Sequence, residues 1–320
     1  MPQTVIYWNR ATEDVYQMVR DEMPKGWTLI TTRGETPTKS LDQLATVDFI
    51  LAATWPVGEA ELRAAPNLKM VLTQGVGHDK IDTKAVQARG IPLAICPAGT
   101  TVGVAEHTIL LILAVYKRLL VADAKLRQGT WLQWGLRASS FELAGKTLGL
   151  VGFGRIGQAV AKRAHAFDAK LLYFDPFLPA APPAAAAYNA RAVSLPELLR
   201  ESDIVSVHVP ASDQTRKLLG AAEFSQMKRS AILINTARGA ILEESALIKA
   251  LESRTIAAAG LDVYEREPIN DDNPLLKMDN VTLTPHISAG TVDAFRTKMR
   301  AIFANMQRCL DGQPIQDRIV

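Results

Sequence analysis

The sequence has little cysteine and no long apolar run. Its 320 residues include two cysteines, Cys96 and Cys309, which are too few for a disulfide framework or a cysteine-rich metal site. The longest apolar run, 109–116, is far shorter than the about 20 residues that a membrane-spanning helix needs. The N-terminus lacks a basic segment followed by an apolar stretch, so we predict no secretory signal. These absences favour a reducing, cytoplasmic location and no membrane partner.

The sequence also lacks a large excess of positive or negative charge. The chain has 36 Lys and Arg against 33 Asp and Glu, a net charge of +3, and no basic run longer than a pair. A nucleic-acid surface would need a basic cluster, so we expect no nucleic-acid partner. HExxH and CxxC motifs are missing as well, and we therefore expect no metal. The partner that remains is a small anionic molecule.

Short apolar runs alternate with amphipathic segments along most of the chain. The first series of candidate strands is Thr4–Trp8, Thr28–Thr32, Asp48–Ala53, Lys69–Thr73 and Pro92–Cys96. The second series is Thr147–Val151, Lys170–Phe174, Ile204–Val209, Ala231–Asn235, Ala257–Asp262 and Val281–Thr284. Such alternation predicts parallel sheets covered by helices on both faces. The fold class is therefore α/β, with two doubly wound parallel-sheet domains.

Two stretches outside these strands lack a strand pattern. Thr101–Gln128 has no proline and is followed by Gly129, which predicts one long helix that ends at a glycine cap. Pro179–Ala192 is rich in alanine and proline, and we interpret it as a loose surface connection.

Breaker clusters at 97–100 and 285–289 predict two crossings between domains, and they would act as hinges that let a cleft between the domains close. We predict a substrate domain of residues 1–99 plus 287–320. A nucleotide-binding domain of residues 100–286 would be inserted into it.

A glycine motif, Gly152-Phe-Gly-Arg-Ile-Gly157, lies between a predicted strand and a predicted helix. In this context Gly152 permits a tight turn, Gly154 lets the backbone approach a diphosphate, and Gly157 allows the helix to pack closely on the strand. The amides of Arg155 and Ile156 would bind the diphosphate at the positive end of the helix. The motif predicts a dinucleotide site.

An acidic residue follows this motif at the expected distance. Asp175 ends the next predicted strand, 18 residues after Gly157. A carboxylate at this place accepts hydrogen bonds from the ribose hydroxyls and repels a 2′-phosphate. The predicted cofactor is therefore NAD rather than NADP.

Three further segments follow strands of the second series, namely 235–239, 260–268 and 284–288. Ligands of open α/β sheets lie beyond the carboxyl ends of the strands, so we expect these segments to converge on the nicotinamide. Together with 75–82, 101–107 and 208–210, they make the sequence resemble the D-isomer-specific 2-hydroxyacid dehydrogenases over nearly its whole length. The resemblance implies a Rossmann NAD domain inserted into a flavodoxin-like substrate domain.

The resemblance also implies catalytic roles. Arg238 would bind the substrate carboxylate and polarise the carbonyl, which suits the fixed fork of a guanidinium. His286 would be the general acid in reduction and the base in oxidation, since imidazole titrates near neutrality. Glu267 would orient the ring. Glu265 is its competitor, and we choose Glu267 because it directly precedes Pro268, as in the family.

Further site residues come from the same resemblance. The amides of Val76 and Gly77 would bind the substrate carboxylate, with Arg238 and His286. Asp262 would face the nicotinamide end of the cofactor. The other predicted cofactor contacts are Val209, Pro210, Thr215 and Thr236. The roles of His78, Trp55, Trp131 and Trp134 stay open, although Trp131 and Trp134 are candidates for a subunit contact.

The implied reaction is NAD-dependent interconversion of a 2-oxo acid and a D-2-hydroxy acid by hydride transfer, in a homodimer. Glyoxylate and hydroxypyruvate are the first substrates to consider, and 3-phosphoglycerate is the next. Two alternatives stay open: a formate- or phosphite-type dehydrogenase, and an NAD-sensing scaffold that resembles a corepressor.

Overall fold

The computed structural model describes residues 2–32, 34, 36–178 and 182–320. They form two compact units, one that runs up to Thr100 and includes Thr291–Val320, and one that spans Thr101–Gly290. None of the helices in the described ranges combines the length and apolarity that a membrane span requires.

The regular elements alternate along the chain as predicted. The strands are β1 Thr4–Trp8, β2 Thr28–Thr31, β3 Phe49–Ala52, β4 Met70–Thr73, β5 Leu93–Ala94, β6 Thr147–Val151, β7 Lys170–Phe174, β8 Ala190–Ala192, β9 Ile204–Val207, β10 Ile232–Asn235, β11 Ala258–Leu261 and β12 Val281–Leu283. The helices are α1 Glu13–Glu22, α2 Glu59–Ala64, α3 Thr83–Ala88, α4 Thr100–Tyr116, α5 Leu119–Arg127, α6 Arg155–His165, α7 Pro183–Ala187, α8 Leu195–Glu201, α9 Ala221–Gln226, α10 Glu244–Glu252 and α11 Val292–Leu310.

The first unit contains a five-stranded parallel sheet in the order β2-β1-β3-β4-β5. This order belongs to the flavodoxin type of doubly wound fold. Successive residues of β1 point to opposite faces, and both faces are buried. Val5 and Tyr7 join one apolar cluster with residues of α1 and α11, while Ile6 and Trp8 join another. Burial on both faces explains why the strands appear as continuous apolar runs.

The second unit contains a seven-stranded parallel sheet in the order β12-β11-β10-β9-β6-β7-β8. The strand order reverses between β6 and β9, which places a topological switch point beside the Gly152 turn. The predicted class of two doubly wound parallel-sheet domains is confirmed, but the expectation of six strands here was wrong. The additional strand, β8, and the short helix α7 lie in the stretch that we interpreted as a loose connection, of which residues 179–181 fall outside the described ranges. An edge strand with exposed side chains leaves no apolar pattern to detect.

The predicted single helix over Thr101–Gln128 was also wrong. The chain forms α4 and α5, and Arg118 between them adopts a left-handed conformation with φ +53°. The predicted glycine cap is present, since Gly129 has φ +76° and donates to the carbonyl of Leu126 while the next residue donates to that of Lys125. This pair of bonds is a Schellman motif. A left-handed arginine inside a helical pattern leaves no comparable signal.

Candidate active site

The Gly152 turn leaves open space beside its middle glycine, on the surface of the second unit. A β-carbon at Gly152, which has φ +97°, would lie 2.7 Å from the carbonyl carbon of His208, and one at Gly157 would collide with the Gly152 carbonyl oxygen. Gly154, by contrast, has nothing within 4 Å of such a β-carbon. The helix α6 begins directly after it, and its first amides have no side-chain cap. Open space before uncapped amides fits a diphosphate group.

Asp175, at the end of β7, is bound to this turn. One carboxylate oxygen accepts the N–H of Phe153 at 2.9 Å and the other accepts the N–H of Phe177 at 3.0 Å. A carboxylate offers about four lone pairs, so each oxygen keeps capacity for a further donor. The half-buried carboxylate therefore closes the turn and remains able to accept ribose hydroxyls.

The other residues of the predicted cofactor set lie on loops that follow β9 and β10. Val209 lies against Gly152, since its side chain is 2.9 Å from a β-carbon built there. The hydroxyl of Thr215 donates to the carbonyl of Pro210 at 2.5 Å, which closes the loop after β9. Thr236 is buried and its hydroxyl bonds to that of Thr108 at 3.0 Å. These two hydroxyls shape their loops from inside the protein.

Arg238 lies on a loop that two neighbouring residues hold in place. The buried side chain of Asn235 donates to the Arg238 carbonyl at 3.0 Å and accepts the N–H of Ala237 at 3.0 Å. A β-carbon at Gly239 would collide with the carbonyl group of Tyr264. The Arg238 loop thus packs directly on the backbone that leads to Glu267. The sequence pointed to the segment 235–239, but we assigned no individual role to Asn235 or Gly239, although the glycine after Arg238 was a visible signal.

Glu267 and His286 form a direct pair. The Glu267 carboxylate lies 2.7 Å from His286 Nδ1 and also accepts the N–H of Tyr264 at 3.1 Å. Partial burial would raise the pKa of Glu267. The hydrogen bond and charge of His286, the Tyr264 N–H and the nearby charge of Arg238 outweigh burial and lower this pKa. Glu267 is therefore an anionic partner for the ring.

The competitor of Glu267 lies elsewhere. Glu265 is exposed, and its backbone N–H donates to the carboxylate of Glu244 at 2.9 Å. Of the two glutamates, Glu267 is the one that contacts His286. The ring's Nε2 has no hydrogen-bond partner within the described ranges, so it can meet a ligand.

The backbone around His286 is anchored on one buried carboxylate. His286 itself has φ +54°, a conformation that side-chain-bearing residues rarely adopt. Its N–H donates to the Asp262 carbonyl at 2.8 Å, and the N–H groups of Ile287 and Ser288 donate to the two Asp262 carboxylate oxygens at 2.9 Å each. Asp262 is 0% exposed. Its carboxylate oxygens hold the turn that carries His286, and the expectation that Asp262 faces the nicotinamide end of the cofactor stays a prediction.

The predicted carboxylate-binding loop belongs to the first unit and follows β4. Val76 is 41% exposed. The carbonyl of Gly75 beside it accepts the Thr73 hydroxyl at 2.5 Å and the Cys96 N–H at 2.9 Å, which fixes the start of the loop that continues through Gly77. Across the described ranges, His, Cys, Asp and Glu side chains form no group of three that could hold a metal ion.

Comparison with known proteins identifies the family. Residues 109–288, more than half of the chain, match the model of the D-isomer specific 2-hydroxyacid dehydrogenase NAD-binding domain. The matched segment includes the Gly152 turn, Arg238, Glu267 and His286. The chain belongs to the D-isomer specific 2-hydroxyacid dehydrogenases, and it is an oxidoreductase with a nicotinamide dinucleotide-binding domain.

Individual relatives agree with this membership. A D-3-phosphoglycerate dehydrogenase of Archaeoglobus fulgidus is 40% identical over 81% of this chain, which spans about half (48%) of that relative's length. A glyoxylate reductase of Thermofilum pendens is 43% identical over 78% of this chain and 74% of its own. A crystal structure of a Thermus thermophilus protein is 32% identical and superimposes with a TM-score of 0.88, covering 99% of this chain and 100% of that one.

Proposed function

We propose that the chain reduces a small 2-oxo acid to a D-2-hydroxy acid with NADH, and that glyoxylate and hydroxypyruvate are its substrates. The observation that carries the proposal is the 2.7 Å pair of Glu267 and His286. An anion on one ring nitrogen favours the imidazolium and leaves the other nitrogen to exchange a proton with a substrate oxygen. A formate donor has no such proton to exchange, so the pair favours 2-hydroxy acids.

In the proposed reduction, His286 acts through Nε2. The bond from Nδ1 to Glu267 fixes the ring plane, and the anchored turn at Asp262 fixes the backbone that carries it. Nε2 then gives its proton to the carbonyl oxygen as that oxygen gains negative charge. In the reverse direction the neutral ring takes the proton from the hydroxyl group.

Arg238 would hold the substrate. Its guanidinium is a fixed fork with a permanent charge that matches a carboxylate. The Asn235 side chain and the close approach at Gly239 support its loop. The same charge helps to lower the pKa of Glu267, so Arg238 is close enough to the Glu267–His286 pair to interact with it electrostatically. That the amides of Val76 and Gly77 bind the substrate carboxylate stays a prediction.

The cofactor would bind at the Gly152 turn. When bound, NADH supplies the hydride. The amides of Arg155 and Ile156 would hold the diphosphate before Gly154, where the chain leaves open space. Asp175 would accept the ribose hydroxyls, and its negative charge would repel a 2′-phosphate. This supports NADH over NADPH.

Steady-state NADH oxidation with a panel of acids tests the proposal. The panel comprises glyoxylate, hydroxypyruvate, 3-phosphohydroxypyruvate and pyruvate. Formate oxidation with NAD is measured in parallel to test the alternative of a formate-type dehydrogenase. We expect turnover with glyoxylate and hydroxypyruvate, a D-configured product from hydroxypyruvate, and a lower kcat/KM with NADPH. Turnover with formate alone, or no turnover in either direction, would refute the proposal, and the latter would favour the sensing scaffold.

We also propose a homodimer in the cytoplasm. Trp131 and Trp134 are 73% and 68% exposed, and the guanidinium of Arg137 lies 4.2 Å from the centre of the Trp134 ring. Two large, strongly exposed aromatic side chains three residues apart support a subunit contact here. Cys96 and Cys309 are free thiols, which fits a reducing compartment.

A further inference from the structure

One helix of the second unit contacts both loops that carry the proposed catalytic residues. On α4, His107 Nε2 lies 2.9 Å from the hydroxyl of Thr284, just before His286. The next residue, Thr108, is fully buried and bonds to the hydroxyl of Thr236 on the Arg238 loop at 3.0 Å. The His107 side chain is itself only 10% exposed. Two adjacent α4 residues thus touch the supports of Arg238 and His286.

The hydrogen bonds of the Thr284 hydroxyl require a hydrogen on His107 Nε2. The Thr284 hydroxyl donates to the Asp262 carboxylate at 2.6 Å. Having used its only hydrogen there, the hydroxyl can only accept from its other neighbour. That neighbour is His107 Nε2, which must therefore carry a hydrogen. The same nitrogen lies 3.6 Å from the Asp262 carboxylate, so a hydrogen there also faces the buried negative charge.

The hydrogen on His107 Nε2 helps to fix the turn that carries His286. Asp262 holds that turn through the N–H groups of residues 287 and 288. The Thr284 hydroxyl could rotate among several positions, and a donor at His107 selects the one in which its hydrogen points at Asp262. Because the Thr284 carbonyl also accepts the Tyr264 hydroxyl at 2.9 Å, Thr284 is held on its backbone and its side chain alike.

We propose that His107 is a positioning residue for His286, acting through Thr284 and Asp262 by means of the hydrogen on its Nε2. This proposal rests on the proposed function, since it assigns His286 the proton transfer. His107 touches neither substrate nor cofactor in it. Without the donor, the Thr284 hydroxyl loses one of its partners and is no longer oriented toward the fully buried Asp262, and the turn that carries His286 at φ +54° loosens.

Three variants separate positioning from general stability. His107→Leu removes the donor, His107→Gln keeps an N–H donor at a similar reach, and His165→Leu is the matched control on the exposed surface of α6. With glyoxylate or hydroxypyruvate we expect kcat to fall about 10- to 100-fold in His107→Leu, to recover largely in His107→Gln and to stay unchanged in the control. NADH affinity should stay within about twofold in all three.

Deuterated NADH supplies a readout that mere loss of folded protein would not move. With deuterium at the transferred position, the isotope effect on kcat should rise in His107→Leu, because a misplaced His286 slows the chemical step. A fall in kcat at an unchanged isotope effect, or equal loss in His107→Gln and His107→Leu, would overturn the positioning role.

Two measurements on the cofactor-free protein do not depend on the reaction. Nitrogen-edited NMR of the imidazoles should show the Nε2–H form for His107, and amide exchange of residues 286–288 should be faster in His107→Leu than in wild type or the control. An Nδ1–H form, or unchanged exchange, would refute the inference even if the protein turns over 2-oxo acids. Absence of turnover with these two results as expected would instead refute the proposed function alone.

Discussion

Replacement of Glu267 by glutamine tests the catalytic pair most sharply, because it removes one charge and keeps the size of the side chain. In wild type the carboxylate lies 2.7 Å from His286 Nδ1. The amide can still accept a hydrogen bond from the ring, but it no longer attracts a positive charge. The change therefore isolates the electrostatic part of the pair.

The magnitude follows from the exposure of the two groups. A hydrogen bond to a charged group contributes about 1.5–3 kcal/mol. The side chains of His286 and Glu267 are 44% and 35% exposed, so solvent screening favours the lower end, about 1.5 kcal/mol. We expect a roughly tenfold lower kcat for reduction.

The pH dependence gives the sign of the effect. The pKa of Glu267 is lowered, so the carboxylate is ionised throughout the neutral range and its attraction is lost only as the pH falls through that lowered pKa. In Glu267→Gln the charge facing His286 is missing at every pH. The loss of kcat relative to wild type should therefore extend across the neutral range and shrink only as the pH falls through the lowered pKa of Glu267, where wild type loses the same charge.

The assay is NADH oxidation from pH 5 to 9 at saturating 2-oxo acid, with Glu265→Gln as the control. Glu265 is exposed and uses its backbone N–H rather than its carboxylate in the loop, so its profile should match wild type. An unchanged kcat in Glu267→Gln across the neutral range, or an equal loss in both variants, would show that the charge of Glu267 does not support His286.

Further predictions concern the turn, the cofactor and the subunit contact. Gly239→Ala should lower the free energy of unfolding by about 3 kcal/mol in a denaturant titration, because its β-carbon would collide with the rigid carbonyl of Tyr264; unchanged stability would contradict the close approach. Asp175→Ser should raise KM for NADH and narrow the preference over NADPH, measured by kcat/KM with each, whereas an unchanged ratio would contradict its role. Replacing Trp131 and Trp134 by serine should shift the mass measured by light scattering from dimer to monomer, and a wild-type monomer would refute the proposed contact.

The sheet strands were predictable because parallel strands buried on both faces appear as continuous apolar runs. β1, β6 and β7 have the predicted bounds, and most of the other predicted strands end within one or two residues of theirs. Elements whose side chains are not buried, or whose ends depend on backbone conformation, could not be predicted in this way. β8 is an exposed edge strand, and the break between α4 and α5 depends on a left-handed Arg118, which local composition does not encode.

The candidate site was predictable where the chemistry is carried by a motif. Glu267 and His286 were chosen from the family resemblance, and their contact follows from loops at adjacent strand ends. The supports were not predictable in the same way. That Asp262 is fully buried and that His107, far away in sequence, reaches Thr284 depend on how α4 packs on the sheet.

The most direct test of the central claim compares wild type with His286→Ala in hydroxypyruvate reduction and in NADH binding. The proposed mechanism predicts D-glycerate from wild type, a fall in kcat of at least about 100-fold in the variant, and NADH affinity within about twofold of wild type by fluorescence titration. Full turnover in His286→Ala with intact NADH binding would contradict the assignment of His286 as the proton donor.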